Sequence, residues 1–255
     1  FDDSIKCQID IALPVLEDLK IKSFFFIYTS IFEDRPDNLE IFRYFRMNYF
    51  NNIEDFYTNF YKTLGKDLSS FFKKNEDFIR KKKIKHPNYS TEDVKFRLIR
   101  DIFLEKKEYE NIMFQMIDEK KFEPKKLYSN LFFSKEDLIN LDNLGHQIGL
   151  HSHNHQMLLE KLSYEEQKYE YETCKSTLCK ILNKSPKEIK VMSHPCGSYN
   201  DDTLKILKNL GIEMGFKQIM TSEPEKGMKK INNSTLEVAR QDHSSIFRKI
   251  LKNEK

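Results

Sequence analysis

Three histidines at alternate positions, His151, His153 and His155, follow a short run in which Ile148 and Leu150 stand among Gly145 and Gly149. The run reads as a buried strand, and the histidines fall just past its carboxyl end, where α/β folds place their chemistry. His151 and His155 are four apart, so on one turn of helix they face the same way, as a shared metal ion requires. Such a pair suits Zn²⁺, Co²⁺, Ni²⁺ or Fe²⁺, with a carboxylate as the usual third ligand. Adjacent carboxylates, Asp2 and Asp3, stand at the opposite end of the sequence behind an aromatic residue. Alone, an Asp-Asp pair is a turn or a helix cap. Beside the histidines it offers one carboxylate to a metal and the other to a water.

A third segment, Ser193-His-Pro-Cys-Gly-Ser-Tyr-Asn200, follows apolar Val191 and Met192 and precedes periodic Leu204, Ile206, Leu207 and Leu210. It reads as another strand-to-loop-to-helix junction. Strands are expected at 21–28, 190–193, 212–216 and 236–240, and helices at 164–182 (cap Ser163, with Glu166 three residues on), 201–209 and 246–251. An apolar helical stripe covers Ile9, Ile11, Val15, Leu16 and Leu19, with Pro14 calling for a kink or a late start. From about 31 to 133 the pattern is helical and aromatic-rich, with Ser90 as a cap. This stretch reads as an insertion whose aromatic stripe is a core face and whose basic run, Arg80–Lys85, is a solvated loop or a surface for an anionic glycan or membrane. Strands alternating with helices, with the candidate groups at strand ends, indicate an α/β barrel.

Length fits one large domain over 1–255, carrying that insertion. The 43 basic and 40 acidic residues nearly cancel at +3, so net charge argues for neither nucleic acid nor an anionic membrane. Cys7, Cys174, Cys179 and Cys196 show no CxxC spacing, which favours reduced thiols and a cytoplasmic location. No stretch has the length and apolarity of a membrane span, and no signal peptide is visible.

The three motifs together resemble the polysaccharide deacetylase family, the NodB-homology or carbohydrate esterase family 4 enzymes. The family's Thr-Phe-Asp-Asp-Gly is matched by Phe1-Asp2-Asp3-Ser4, its His-Ser/Thr-x-x-His by His151–His155, and its Pro-Tyr-Gly-x-Tyr-Asn by Pro195–Asn200. The resemblance covers 1–30 and about 134–243. It implies a distorted (β/α) barrel of seven or eight strands whose first strand ends at Phe1, so residues upstream are expected. It also implies an N-acetyl hydrolase for an amino sugar of a bacterial surface glycan or its precursor. One divalent ion, zinc before cobalt or nickel, is held by Asp3, His151 and His155, with Asp2 as base. Pro195, Cys196 and Tyr199 are the candidates at the substrate, the Cys196 N–H supporting the oxyanion. His153 is expected to point outward, and Ser152 to brace the loop.

This chain departs from the family pattern in places. Motif three lacks the usual Arg, Cys196 replaces a common Tyr, and His194 lines or merely fills the site. Ser4 stands for Gly, a mild change. The family's last motif has no clear match; at the corresponding strand end Arg240 and Asp242 are candidates to orient the base, and His243 to protonate the leaving amine. Two other readings stay open: the same core acting on another small amide, a formyl group included, or a non-catalytic glycan-binding scaffold.

Overall fold

The computed structural model describes residues 1–85, 89–218 and 234–240, with Ile246 and Ile250 beyond them. The described chain divides into two compact units: residues 1–37 with 128–255, and Asn38–Leu127. The first is an α/β unit interrupted in sequence by the second, which is helical.

In chain order the α/β unit begins with a π-helical turn Gln8–Ala12 and helix α1 (Leu13–Asp18), then strand β1 (Phe24–Ile27). Pro14 sits in the first turn of α1, where its missing N–H costs nothing, so the late start is observed. The apolar stripe is not a core face, however. Only Leu13 is buried, while Ile11, Val15 and Leu19 are exposed. The helical unit supplies α2 (Asn38–Asn48), α3 (Ile53–Leu64), α4 (Ser69–Lys74), α5 (Glu76–Lys85), α6 (Thr91–Leu98) and α7 (Lys106–Glu119). Its core is aromatic: Phe56, Phe60 and Phe96 are fully or almost fully buried, with ring centroids 5.0 Å apart for Phe60–Phe96 and 5.2 Å for Phe56–Phe96. Ser90 caps α6 as expected. The basic run is not a loop: Arg80–Lys83 lie within α5.

The chain returns through α8 (Tyr128–Leu131) and α9 (Lys135–Asn143) to β2 (Gln147–Leu150), α10 (Tyr164–Leu182), β3 (Val191–Ser193), α11 (Asp201–Asn209) and β4 (Met214–Phe216). The helices at 164–182 and 201–209 fall where expected, each opened by a capping box. The strands are shorter than the expected runs, and 236–240 contributes only a bridge of Val238 to Phe216.

The sheet order is β1-β2-β3-β4, all parallel. Phe1 adds a parallel rung beside β1: its amino group donates to the Phe24 carbonyl at 2.7 Å, and Phe26 N–H donates to the Phe1 carbonyl at 2.8 Å. Two strands separate β1 from β4 in the ladder. Even so, Phe24 and Phe26 both lie 5.4 Å, centroid to centroid, from Phe216, so the sheet curls, with Phe26 buried and Phe24 exposed. Gly149 is required there, since a Cβ would stand 2.7 Å from both the Phe26 ring and the Val191 carbonyl. This is the α/β fold of distorted-barrel type. Because the strands run parallel, the residues after Phe1, β1, β2, β3, β4 and Val238 all emerge at one end.

Candidate metal centre at the strand ends

Asp2 and Asp3 follow directly from the Phe1 rung. Asp3 and Ser4 both adopt left-handed backbone, at φ 71° and 54°, which turns the chain sharply away from the sheet. The turn is then tied down: Phe133 N–H donates to the Ser4 carbonyl at 3.0 Å, Lys6 N–H to the Leu131 carbonyl at 2.9 Å, and Lys6 Nζ to Asp137 at 2.8 Å. A left-handed Ser is strained where Gly is not. Its Oγ is moreover buried without a partner, so Ser4 for Gly is a larger departure than its chemistry suggests.

One ligand atom each from Asp3, His151 and His155 lies within 4.8 Å of the others. The Nε2 atoms of His151 and His155 stand 3.2 and 3.1 Å from the same carboxylate oxygen, Asp3 Oδ1. Their other nitrogens are held from behind. His151 Nδ1 is 2.8 Å from the Ser193 carbonyl, which can only accept, so Nδ1 is the donor in this contact and the ring is held with Nε2 towards Asp3. His155 Nδ1 faces Asp37 at 3.7 Å. Burial alone would push the His155 imidazole down, but Asp3 and Asp37 push it up to about 10. Burial likewise raises the Asp3 carboxyl, and the two imidazoles overcome it, holding it well below the usual carboxylate range. A cluster that favours positive charge so strongly, with two oriented imidazoles and one carboxylate, fits a divalent cation with positions left open.

Asp2 takes a separate environment. Arg240 grips it with both terminal nitrogens, at 3.0 and 2.8 Å, while Arg240 Nε donates to the Lys217 carbonyl at 2.8 Å. The Ser193 hydroxyl lies 3.4 Å from Asp2 Oδ2. Burial opposes ionisation, but His151 and Arg240 hold the Asp2 carboxyl below its ordinary value. A guanidinium fork from the last described strand segment thus reaches the carboxylate beside Asp3, which sequence reading assigned to Arg240. Asp242 and His243 lie outside the described residues.

Motif three is placed less directly. Pro195 is buried and Cys196 exposed, in left-handed backbone at φ 52°. The Tyr199 hydroxyl donates to Glu237 at 2.9 Å, and its ring stacks on His194 at 4.2 Å. His194 is 1% exposed. It donates Nε2–H to the Leu236 carbonyl at 2.8 Å, and burial pushes its pKa down to about 4. It fills the strand end as a neutral ring.

His153 corrects an expectation. It points inward, fully buried and away from the Asp3 cluster, with Nδ1 2.8 Å from the Thr29 hydroxyl. Its carbonyl accepts from Thr29 and Ser30 N–H, so it staples the ends of β1 and β2. Ser152 is buried and left-handed, but its hydroxyl makes no hydrogen bond. The brace is Glu170 of α10, 3% exposed, which accepts from His153 N–H at 2.9 Å, Asn154 N–H at 2.8 Å and the Asn154 amide at 2.7 Å. Sequence reading missed it, although an acid on the Gln167, Tyr171, Cys174, Leu178 face of a helix was a visible signal. Asp37, in the loop after Pro36, gave none.

Residues 103–215 match the model of the polysaccharide deacetylase family. The chain's backbone is similar to that of the Streptococcus pyogenes deacetylase PplD in complex with acetate, at 16% identity over 94% of this chain and 61% of that one, TM-score 0.50. The BpsB deacetylase domain of Bordetella bronchiseptica (12% identity, 94% and 68% coverage, TM-score 0.47) is also similar. So is a de-N-acetylase from Aggregatibacter actinomycetemcomitans (12%, 97% and 72%, 0.47). The chain spans 61% of the length of the first of these. No curated protein sequence matches it.

Proposed function

We propose that this chain is a metal-dependent N-deacetylase that releases acetate from an acetylated amino sugar of a bacterial surface glycan or its precursor. The observation that carries the reading is the pairing of two unlike carboxylates: Asp3 against two oriented imidazoles, and Asp2 beside it in the grip of Arg240. Binding alone needs the first arrangement and not the second. Asp3, His151 and His155 would hold a divalent ion, zinc by the donor set with cobalt or nickel as alternatives, which would supply Lewis-acid polarisation of the amide carbonyl and acidify a water. Asp2 takes the proton of the attacking water, and Arg240 keeps that carboxylate ionised and aimed. Motif three offers the Cys196 N–H to the oxyanion, with Pro195 and Tyr199 shaping the substrate side. His243 is the candidate donor to the leaving amine.

The test is acetate release from N-acetylglucosamine oligomers by zinc-loaded protein. Asp2→Asn is expected to lower the rate about 10²–10⁴-fold while the metal content stays that of the wild type. Acetate release that survives Asp2→Asn removes Asp2 as the base. A metal-loaded chain that binds these glycans and never hydrolyses them favours the scaffold reading, and one that hydrolyses only N-formyl substrates the deformylase.

A further inference from the structure

The helical unit gathers four arginines around one cleft. Arg43 and Arg46 come from α2, Arg97 from α6 and Arg100 from the turn after it, over a wall of Phe42 and Phe96. Like charges gather in this way only where something opposes them. Arg43 has Glu40 at 2.6 Å, and Arg100 has Asp101 at 2.5 Å. Asp93 must serve both Arg97 at 2.7 Å and Arg46 at 3.6 Å, while also accepting the Tyr57 hydroxyl at 3.1 Å. Three carboxylates therefore face four guanidiniums. The shortfall falls on Arg46, whose Nε–H is buried without an acceptor while its guanidinium lies over the Phe96 ring at 5.4 Å. A buried charged donor left unmade is costly and rare.

We propose that this cleft is an oxyanion site that takes a phosphate group, with Arg43, Arg46, Arg97 and Arg100 as its donors. A carboxylate accepts one guanidinium fork, whereas a phosphate spreads several acceptor oxygens over several forks and carries enough charge to balance the excess. The site belongs to the helical unit and does not depend on the hydrolase reading. Arg97 also borders a neighbouring cavity of about 260 Å³ walled by Phe78, Leu98 and Ile102. A phosphate on a soluble ester and one on a lipid headgroup both suit that setting, and the test separates them.

Inorganic phosphate is titrated into the whole protein by calorimetry at constant ionic strength. Saturable binding is expected, weakened about tenfold or more in Arg43→Gln and in Arg100→Gln. It is partly restored in Arg43→Lys, which keeps the charge and loses the fork. Arg240→Gln, which removes the guanidinium beside Asp2, leaves the affinity unchanged. Arg43 is the main probe because its side chain is 53% exposed and its loss leaves the core packed; circular dichroism checks the fold. Co-sedimentation with phosphatidylglycerol vesicles, absent with phosphatidylcholine and competed by phosphate, assigns the headgroup. Binding of phenyl phosphate without vesicle association assigns a soluble ester. No saturable binding, or binding that Arg43→Gln and Arg100→Gln leave within twofold of wild type, overturns the proposal.

Discussion

The two units of this chain spend burial differently. In the helical unit the buried interior is apolar and rich in rings, with Phe56, Phe60 and Phe96 packed edge to face or tilted. In the α/β unit burial extends to polar groups, many of them at the strand ends: Thr29 and Ser30 after β1, His151, Ser152, His153 and His155 after β2, Ser193 and His194 in and after β3. Charge divides the same way. The helical unit holds 20 basic and 15 acidic residues, the rest of the chain 23 and 25. A total near neutrality therefore conceals a basic unit, which net charge alone could not show. Aromatic burial stabilises without needing a partner for each atom. Buried imidazoles and carboxylates need one, and their network of partners is what sets a geometry.

The two units should differ most in their response to loss of the metal ligands. His151→Ala, like Asp3→Asn, should abolish stoichiometric metal binding, read by elemental analysis, and lower acetate release at least about 10³-fold; retention of metal in both variants breaks the assignment of the centre. In the helical unit, Phe60→Ala should cost about 3–5 kcal/mol in denaturant unfolding and leave the metal content of the folded protein unchanged. Asp37→Asn tests the group behind His155: metal affinity should fall about 10–100-fold with the fold intact.

Smaller effects sharpen the contrast at the turn after the Asp pair. Burial raises the Asp137 carboxyl, but Lys6 and Ser134 pull it further the other way, below its ordinary value. A depressed folded pKa contributes stability above the unfolded pKa, and that stability is lost as pH falls through the folded one. Asp137→Asn should therefore cost about 1 kcal/mol at neutral pH, and the gap from wild type should close below roughly pH 4. Ser4→Gly should stabilise by about 0.5–1 kcal/mol, because it relieves a left-handed backbone and removes a buried, unpartnered hydroxyl. A loss of stability there would show that Ser4 has a role its contacts do not reveal.

The sequence by itself determined what local signals can carry. Capping residues with 3.6-residue periodicity marked the helices at 164–182 and 201–209, and the paired residue types at Asp2-Asp3 and His151–His155 marked the chemistry. Strand lengths were overestimated because apolar residues continue past the last ladder bond. The stripe at Ile9–Leu19 was legible as helix, but not that it stays exposed, because periodicity records amphipathicity and not what covers it. Arg240 was legible only through its position at a strand end. Tertiary structure alone decided the partners. Asp37 and Glu170 hold the histidines from loops and helices distant in sequence, His153 turns inward because Thr29 waits for it, and the arginine cleft assembles from residues about fifty apart on α2 and around α6. Spacing along a chain constrains which side of an element a residue faces; which group it meets there depends on how the elements pack, and that is a property of the whole fold.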